Sequence, residues 1–213
     1  VRVDAFTVGP LQENCYLVVD DGAGEAVLID PGDEASRLAE AVRASGARLT
    51  AIWLTHAHVD HVGAVAPLVE EFGVPVALHP ADRPLYDRAP QIGLTYGMRI
   101  APLPEPTLEL SEGGSVHVGT LAFDVLHLPG HAPGHVAFVG HGVMFSGDVL
   151  FAGSIGRTDL PLCDPRAMRV SLQRLTTIAP ATVVYPGHGP DTSIARELSS
   201  NPFLSGLARP IGS

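Results

Sequence analysis

Apolar positions alternate with polar ones, or run unbroken for a few residues, along most of the chain, and this pattern predicts strands before helices. At the N-terminal end Val1–Val8, Cys15–Val19 and Ala26–Ile29 read as strands, separated by turn material at Gly9-Pro10 and Asp20–Gly24. Pro31-Gly32 closes the third. From Asp33 to Ser45 the period changes: Ala35, Leu38, Ala39 and Val42 fall on one helical face, and Gly46 suits the stop. Leu49–Leu54 is again a buried strand, followed by a polar loop, a helix from Val62 to Phe72 and a strand at Val74–Leu78. Residues 79–106 are rich in Pro and Gly and read as loop or crossover structure. Strands resume at Thr107–Leu110, Ser115–Val118, Leu121–Leu128, Val136–Val139 and Val143–Ser146. A helix fits Pro165–Ile178, then a strand Thr182–Tyr185 and a short helix over Ser193–Leu198.

No sequence repeat is visible. The coarse order is nevertheless strands followed by helix–strand–helix, twice, which suggests two similar halves packed sheet to sheet with helices outside. No linker interrupts the pattern, so one domain is expected over residues 1–213.

Composition changes this picture in three ways. The formal net charge is −10 and all 13 basic residues are arginines, so a lysine Schiff base is excluded. An acidic chain without a basic run is also a poor match for a phosphate backbone, which argues against a nucleic-acid partner. Two bound dications would bring the charge to about −6, so part of the acidity can belong to a metal site. The two cysteines, Cys15 and Cys163, are far apart and read as buried, reduced thiols rather than a disulfide. The first residues lack the features of a signal peptide and no apolar run is long enough to span a membrane, so cytoplasm is the default expectation.

The chemistry concentrates in Thr55-His56-Ala57-His58-Val59-Asp60-His61, between the strand Leu49–Leu54 and the helix predicted from Val62. In extended chain His56, His58 and Asp60 point to one side, and the turn into the helix brings His61 round to the same space. Imidazole nitrogen and carboxylate oxygen suit Zn²⁺, and iron and manganese accept them too. Three more segments each set one candidate ligand in a tight turn after a predicted strand. They are Leu128-Pro129-Gly130-His131, Phe145-Ser146-Gly147-Asp148 and Tyr185-Pro186-Gly187-His188. Seven ligands are too many for one tetrahedral ion. They suffice for two if one carboxylate bridges and water completes each shell.

THAHVDH, followed in order by PGHAPGH, SGDVLF and PGHGPDT, resembles the metallo-β-lactamase superfamily over nearly the whole chain. SGDVLFAGSIGRTDLP and the ending NPFL are most similar to the glyoxalase II-like hydrolases. That resemblance implies a four-layer αβ/βα sandwich, with two mixed sheets face to face and helices outside. It also implies two divalent ions, one held by His56, His58 and His131 and the other by Asp60, His61 and His188, with Asp148 bridging. The implied reaction is hydrolysis of a small thioester, such as a hydroxyacylglutathione, or a related ester. Two dications ~3.5–4 Å apart would turn a bridging water into hydroxide near neutral pH, and Asp60 would orient it.

The resemblance has edges. Lactamases of this fold often carry Cys or Ser where Asp148 stands, which disfavours β-lactams. The helical extension that helps full-length glyoxalase II hold glutathione is not seen after His188. Persulfide dioxygenases are similar through the same HxHxDH run and a similar GRTD segment. For them the resemblance implies a single iron on His56, His131 and Asp148.

Other residues carry weaker expectations. His135, four residues after His131, reads as structural or as a donor behind the ligands. His79, His117, His127 and His141 lack any ligand-like context. Arg157, in Gly156-Arg157-Thr158-Asp159, either contacts an anionic substrate or pairs with a carboxylate such as Asp159. Asp30 reads as a helix cap or a support for a ligand rather than a ligand. Tyr16 and Tyr96 are candidate substrate contacts, and Trp53 is core.

Overall fold

A computed structural model describes residues 1–212. The chain begins with three antiparallel strands, β1 (Arg2–Val8), β2 (Glu13–Asp20) and β3 (Glu25–Ile29). Helix α1 (Ala35–Ser45) crosses to β4 (Arg48–Trp53), which runs parallel to β3. Two short helices, α2 (Val59–Val62) and α3 (Val65–Phe72), lead to β5 (Val76–Leu78). Helix α4 (Arg83–Thr95) precedes the edge strand β6 (Leu108–Glu109), which completes a six-stranded sheet in the order β1-β2-β3-β4-β5-β6. The second sheet is built from β7 (Ser115–Val118), β8 (Leu121–His127), β9 (Val136–Gly140) and β10 (Val143–Gly147). Helix α5 (Pro165–Leu175), β11 (Val183–Pro186), β12 (Thr192–Ser193) and α6 (Ile194–Ser200) follow, giving the order β12-β11-β10-β9-β8-β7.

Period-two alternation sorts the strand side chains into layers. On β2 and β3, Tyr16, Val18, Val27 and Ile29 face the second sheet and meet Phe123, Phe138 and Phe145 in the central core. Trp53 lies there, 1% exposed, with its ring 5.3 Å from that of Phe138. The alternate residues Cys15, Leu17, Ala26 and Leu28 face outward onto Leu38 and Val42 of α1 and Leu68 of α3. On the far side Ala137 and Met144 meet Met168, Leu172 and Leu175 of α5. These three apolar clusters separate four layers, so the structure is the αβ/βα sandwich that the motifs imply.

Three local expectations change. Residues 79–106 are not all loop, because α4 occupies Arg83–Thr95. Pro84 stands in its first turn, where no amide is needed, and Leu85, Tyr86, Ala89 and Gly93 bury one stripe despite Pro90 inside the helix. The single helix expected over Val62–Phe72 is broken, since Gly63 packs against the carbonyl of Gly32 and the Ala64 N–H donates to Pro31 O at 3.0 Å. Cys163 is only partly buried and Cys15 is fully so; both are free thiols.

Candidate metal centre

The seven predicted ligands come from loops and the short helix α2 at one end of the two sheets. The run after β4 supplies His56, His58, Asp60 and His61; the β8–β9 turn supplies His131; the ends of β10 and β11 supply Asp148 and His188. The turns are tight because glycine lets backbone and ligand touch. A Cβ at Gly32 would collide with the carbonyl oxygen of Asp60, and one at Gly187 with the carboxylate of Asp148.

Hydrogen bonds on the outer side set the tautomers. Asp30 accepts from the Thr55 N–H at 2.7 Å and the Thr55 hydroxyl at 2.6 Å, so the Thr55 oxygen is left to accept from His56 Nδ1 at 3.0 Å. His61 Nδ1 donates to Asp30 Oδ2 at 3.1 Å, His131 Nδ1 to the Arg157 carbonyl at 2.8 Å, and His188 Nδ1 to the Gln12 carbonyl at 3.3 Å. Each of these four rings therefore presents Nε2 inward. His58 is turned the other way. Its Nδ1 lies 3.1 Å from His56 Nε2 and 2.8 Å from His131 Nε2.

That spacing fits a cation. Nitrogens on a tetrahedral zinc stand roughly 3.3 Å apart. Burial, reinforced by neighbouring imidazoles, holds His56 and His58 well below their ordinary pKa, and burial also lowers His131, so their lone pairs are free. Asp60, His61 and His188 form a second group, with His188 Nε2 at 3.2 Å from Asp60 Oδ2. Asp148 lies between the two groups. Its Oδ1 is 3.5 Å from His61 Nε2, and its Oδ2 is 3.3 Å from His131 and 3.6 Å from His188. His61 Nε2 and Asp148 Oδ1 are both buried with no hydrogen-bond partner among the described residues. Unpaired buried atoms of this kind are costly unless a ligand satisfies them. Burial opposes the charge on Asp60, yet His61, His188 and His58 outweigh it and hold that carboxyl below its usual range.

The two groups open onto a cavity of about 710 Å³, whose wall includes Val59, Leu85, Ile92, Phe151, Ile155 and Leu160. Arg157 lines it too, its guanidinium donating to both oxygens of Asp159 at 2.7 and 3.0 Å. Tyr96 lies on the rim, half exposed, whereas Tyr16 is buried and its hydroxyl donates to Pro186 O at 2.6 Å.

A family model described as the metallo-beta-lactamase superfamily matches residues 8–188. The chain belongs to that superfamily. The Haemophilus influenzae hydroxyacylglutathione hydrolase GloC is 37% identical over 96% of this chain and 99% of its own. Among solved structures, TTHA1623 in a di-iron-bound form is 51% identical, with a TM-score of 0.87, covering 94% of this chain and all of that one. BLEG-1, a B3 metallo-beta-lactamase, is 37% identical with a TM-score of 0.89, covering 96% and 100%.

Three residues support this metallo-β-lactamase site: Asp30 and His135, for which the sequence left a supporting role open, and Glu13, which it did not single out. Asp30 is no helix cap, since Glu34 precedes α1; it holds Thr55 and His61. His135 is fully buried, and its Nε2 accepts the Asp148 N–H. Glu13, 0% exposed, comes within 3.8 Å of His61 Nδ1, and neither of its oxygens has a hydrogen-bond partner among the described residues. Nothing around Glu13 in the sequence signals this, because its neighbours Gly32, His61 and His188 arrive from the loop after β3, from α2 and from the end of β11. His79 and His127 stack on each other at 4.2 Å. His117 and His141 join none of the candidate ligand groups.

Proposed function

We propose that this chain is a dinuclear metal-dependent hydrolase that cleaves a small acyl-thioester, in the manner the glyoxalase II-like motifs imply. The observation that carries the reading is the position of Asp148, within 3.6 Å of nitrogens from both ligand groups at the floor of one cavity. His56, His58 and His131 would hold one ion, Asp60, His61 and His188 the other, with Asp148 shared; zinc, iron and manganese all suit these donors. Such ions, when bound, supply Lewis acidity and a nucleophile from water near neutral pH.

The residues of the chain do the rest. Asp60 stays ionised, so it remains an acceptor able to orient an attacking group. Asp30 and Thr55 lock the His56 and His61 rings, which leaves no reorganisation to be made during reaction. The apolar wall excludes water around the substrate. A thiolate leaves without needing a proton, which suits a site where no lysine or free histidine is poised as acid. The likeness to GloC supports the substrate class. Among the described residues no helix is long and apolar enough to cross a membrane.

His58 provides the test. As a ligand its loss should cut thioester cleavage by well over ~100-fold, beyond the 10–100-fold typical of a residue supporting a ligand. Wild-type protein should cleave a small acyl-thioester without consuming oxygen. Oxygen uptake with a persulfide, dependent on Fe²⁺ and surviving His58→Ala, would instead assign a single iron on His56, His131 and Asp148. A β-lactam belongs in the same panel because BLEG-1 is 37% identical. Turnover of it above the thioester would change the substrate class.

A further inference from the structure

The cavity over the metal centre has a chemistry of its own. Helix α4 and Tyr96 at its C-terminal cap supply one wall through Leu85, Arg88, Ile92 and Tyr96, spaced three, four and four residues apart, so they form a single stripe. Three of the four are apolar or aromatic. The fourth is a guanidinium.

Arg88 differs from its neighbours in having nothing to neutralise it. Arg83, earlier on the same helix, is held by both Asp87 and Glu105. Arg157, across the cavity, is held by Asp159. The carboxylates that line the cavity, Asp60 and Asp148, belong to the ligand groups at its floor. Among the described residues Arg88 makes no hydrogen bond, ion pair or stacking contact, although the chain carries 23 acidic residues. An arginine left unpaired on the wall of a pocket is suited to an incoming carboxylate or similar anion, which its planar fork grips with two parallel bonds.

We propose that Arg88 binds an anionic end of the substrate, so that the preferred substrate is an acyl-thioester with a small apolar body and a carboxylate remote from the scissile bond. This rests on the hydrolase reading given above for the chemistry, but the recognition itself is a property of the α4 wall. Arg88 acts here as a specificity residue, touching substrate away from the reacting atoms.

The test uses metal-loaded protein and three thioesters: S-butanoyl-N-acetylcysteamine, which is neutral, S-butanoyl-3-mercaptopropionate, with the anion on the thiol, and S-glutaryl-N-acetylcysteamine, with the anion on the acyl group. Wild type should favour one of the anionic esters over the neutral one by roughly 10-fold or more in kcat/KM, as expected for a hydrogen bond to a charged group. Arg88→Gln should reduce that ratio to within about 2-fold while leaving the neutral ester's kcat/KM nearly unchanged. Arg99→Gln, the same charge change off the cavity, should keep the preference. A wild type without preference, or a preference that survives Arg88→Gln, overturns the assignment. A parallel binding measurement compares the thioether S-butyl-3-mercaptopropionate with its amide. An acid-over-amide advantage lost in Arg88→Gln supports the assignment, and equal advantages in both proteins overturn it. If no thioester is cleaved the hydrolase reading falls, and this binding arm still decides the role of Arg88.

Discussion

The backbone N–H of Asp148 donates to Nε2 of His135 at 3.0 Å, inside a site where His135 is fully buried. Burial, then the charges of nearby histidines, keeps that imidazole well below its ordinary pKa, so Nε2 remains an acceptor. This ring, four residues beyond His131 in sequence, thus fixes the backbone from which the Asp148 carboxylate projects.

His135→Ala should leave the Asp148 amide unpaired at a cost of about 1–3 kcal/mol. Metal affinity should fall by about 10–100-fold, as for loss of a group supporting a ligand. Chelator competition reads this directly. Wild-type affinity in the variant would show that Gly147 and its turn position Asp148 without the ring.

Elemental analysis of protein purified without chelator should approach two metals per chain. Asp148→Ala should lower metal content and activity together, since its carboxylate faces nitrogens of both groups. A reproducible value near one, unmoved by added Zn²⁺ or Mn²⁺, would count against the dinuclear reading.

Asp82 ties two ligand loops together: it is buried and accepts from the Ala57 N–H at 2.8 Å and from the Gly134 N–H. Asp82→Ala strands both donors, each at about 1–3 kcal/mol. Denaturant unfolding of the metal-free protein should show the loss, and Asp82→Asn, able to keep one bond, should fall between. Equal stability of the alanine variant and wild type would remove Asp82 from this role.

Glu13 predicts a pH effect. Burial above all, then Asp30, Asp60 and Asp148, pushes its carboxyl well above the ordinary value of 4.5, although His61 pulls it down. The folded state therefore keeps a proton that the unfolded chain has released. Stability of the metal-free protein should fall as pH rises from 4.5 toward the folded pKa. Asp82, pushed up to about 6 by burial, adds a fall of the same sign between about pH 4 and 6. Glu13→Gln should flatten the dependence above 4.5, followed as thermal midpoint against pH. An unchanged slope would show that Glu13 titrates alike in both states.

The cluster of candidate donors was legible because its signal is local. Four donors lie within His56–His61, and His131, Asp148 and His188 each follow a glycine or proline turn at a strand end. Strand identity was equally local: period-two alternation on β2 and β3 sends Tyr16 and Val27 to one core and Leu17 and Leu28 to another. Helix α4 was hidden because Pro84 and Pro90 carry the same weight in a loop as in a helix whose buried stripe offsets the lost backbone bond. Glu13, Asp82 and Arg88 had no sequence signal at all. The environment of each is made by segments distant in sequence, and only packing decides whether a charged side chain is buried, braces two loops or stands unpaired on a cavity wall. The sequence by itself thus determined the metal-binding chemistry and the sheets that carry it. The tertiary structure decided the support of the ligands and the shape and charge of the pocket, because burial and unpaired charge depend on every neighbour at once.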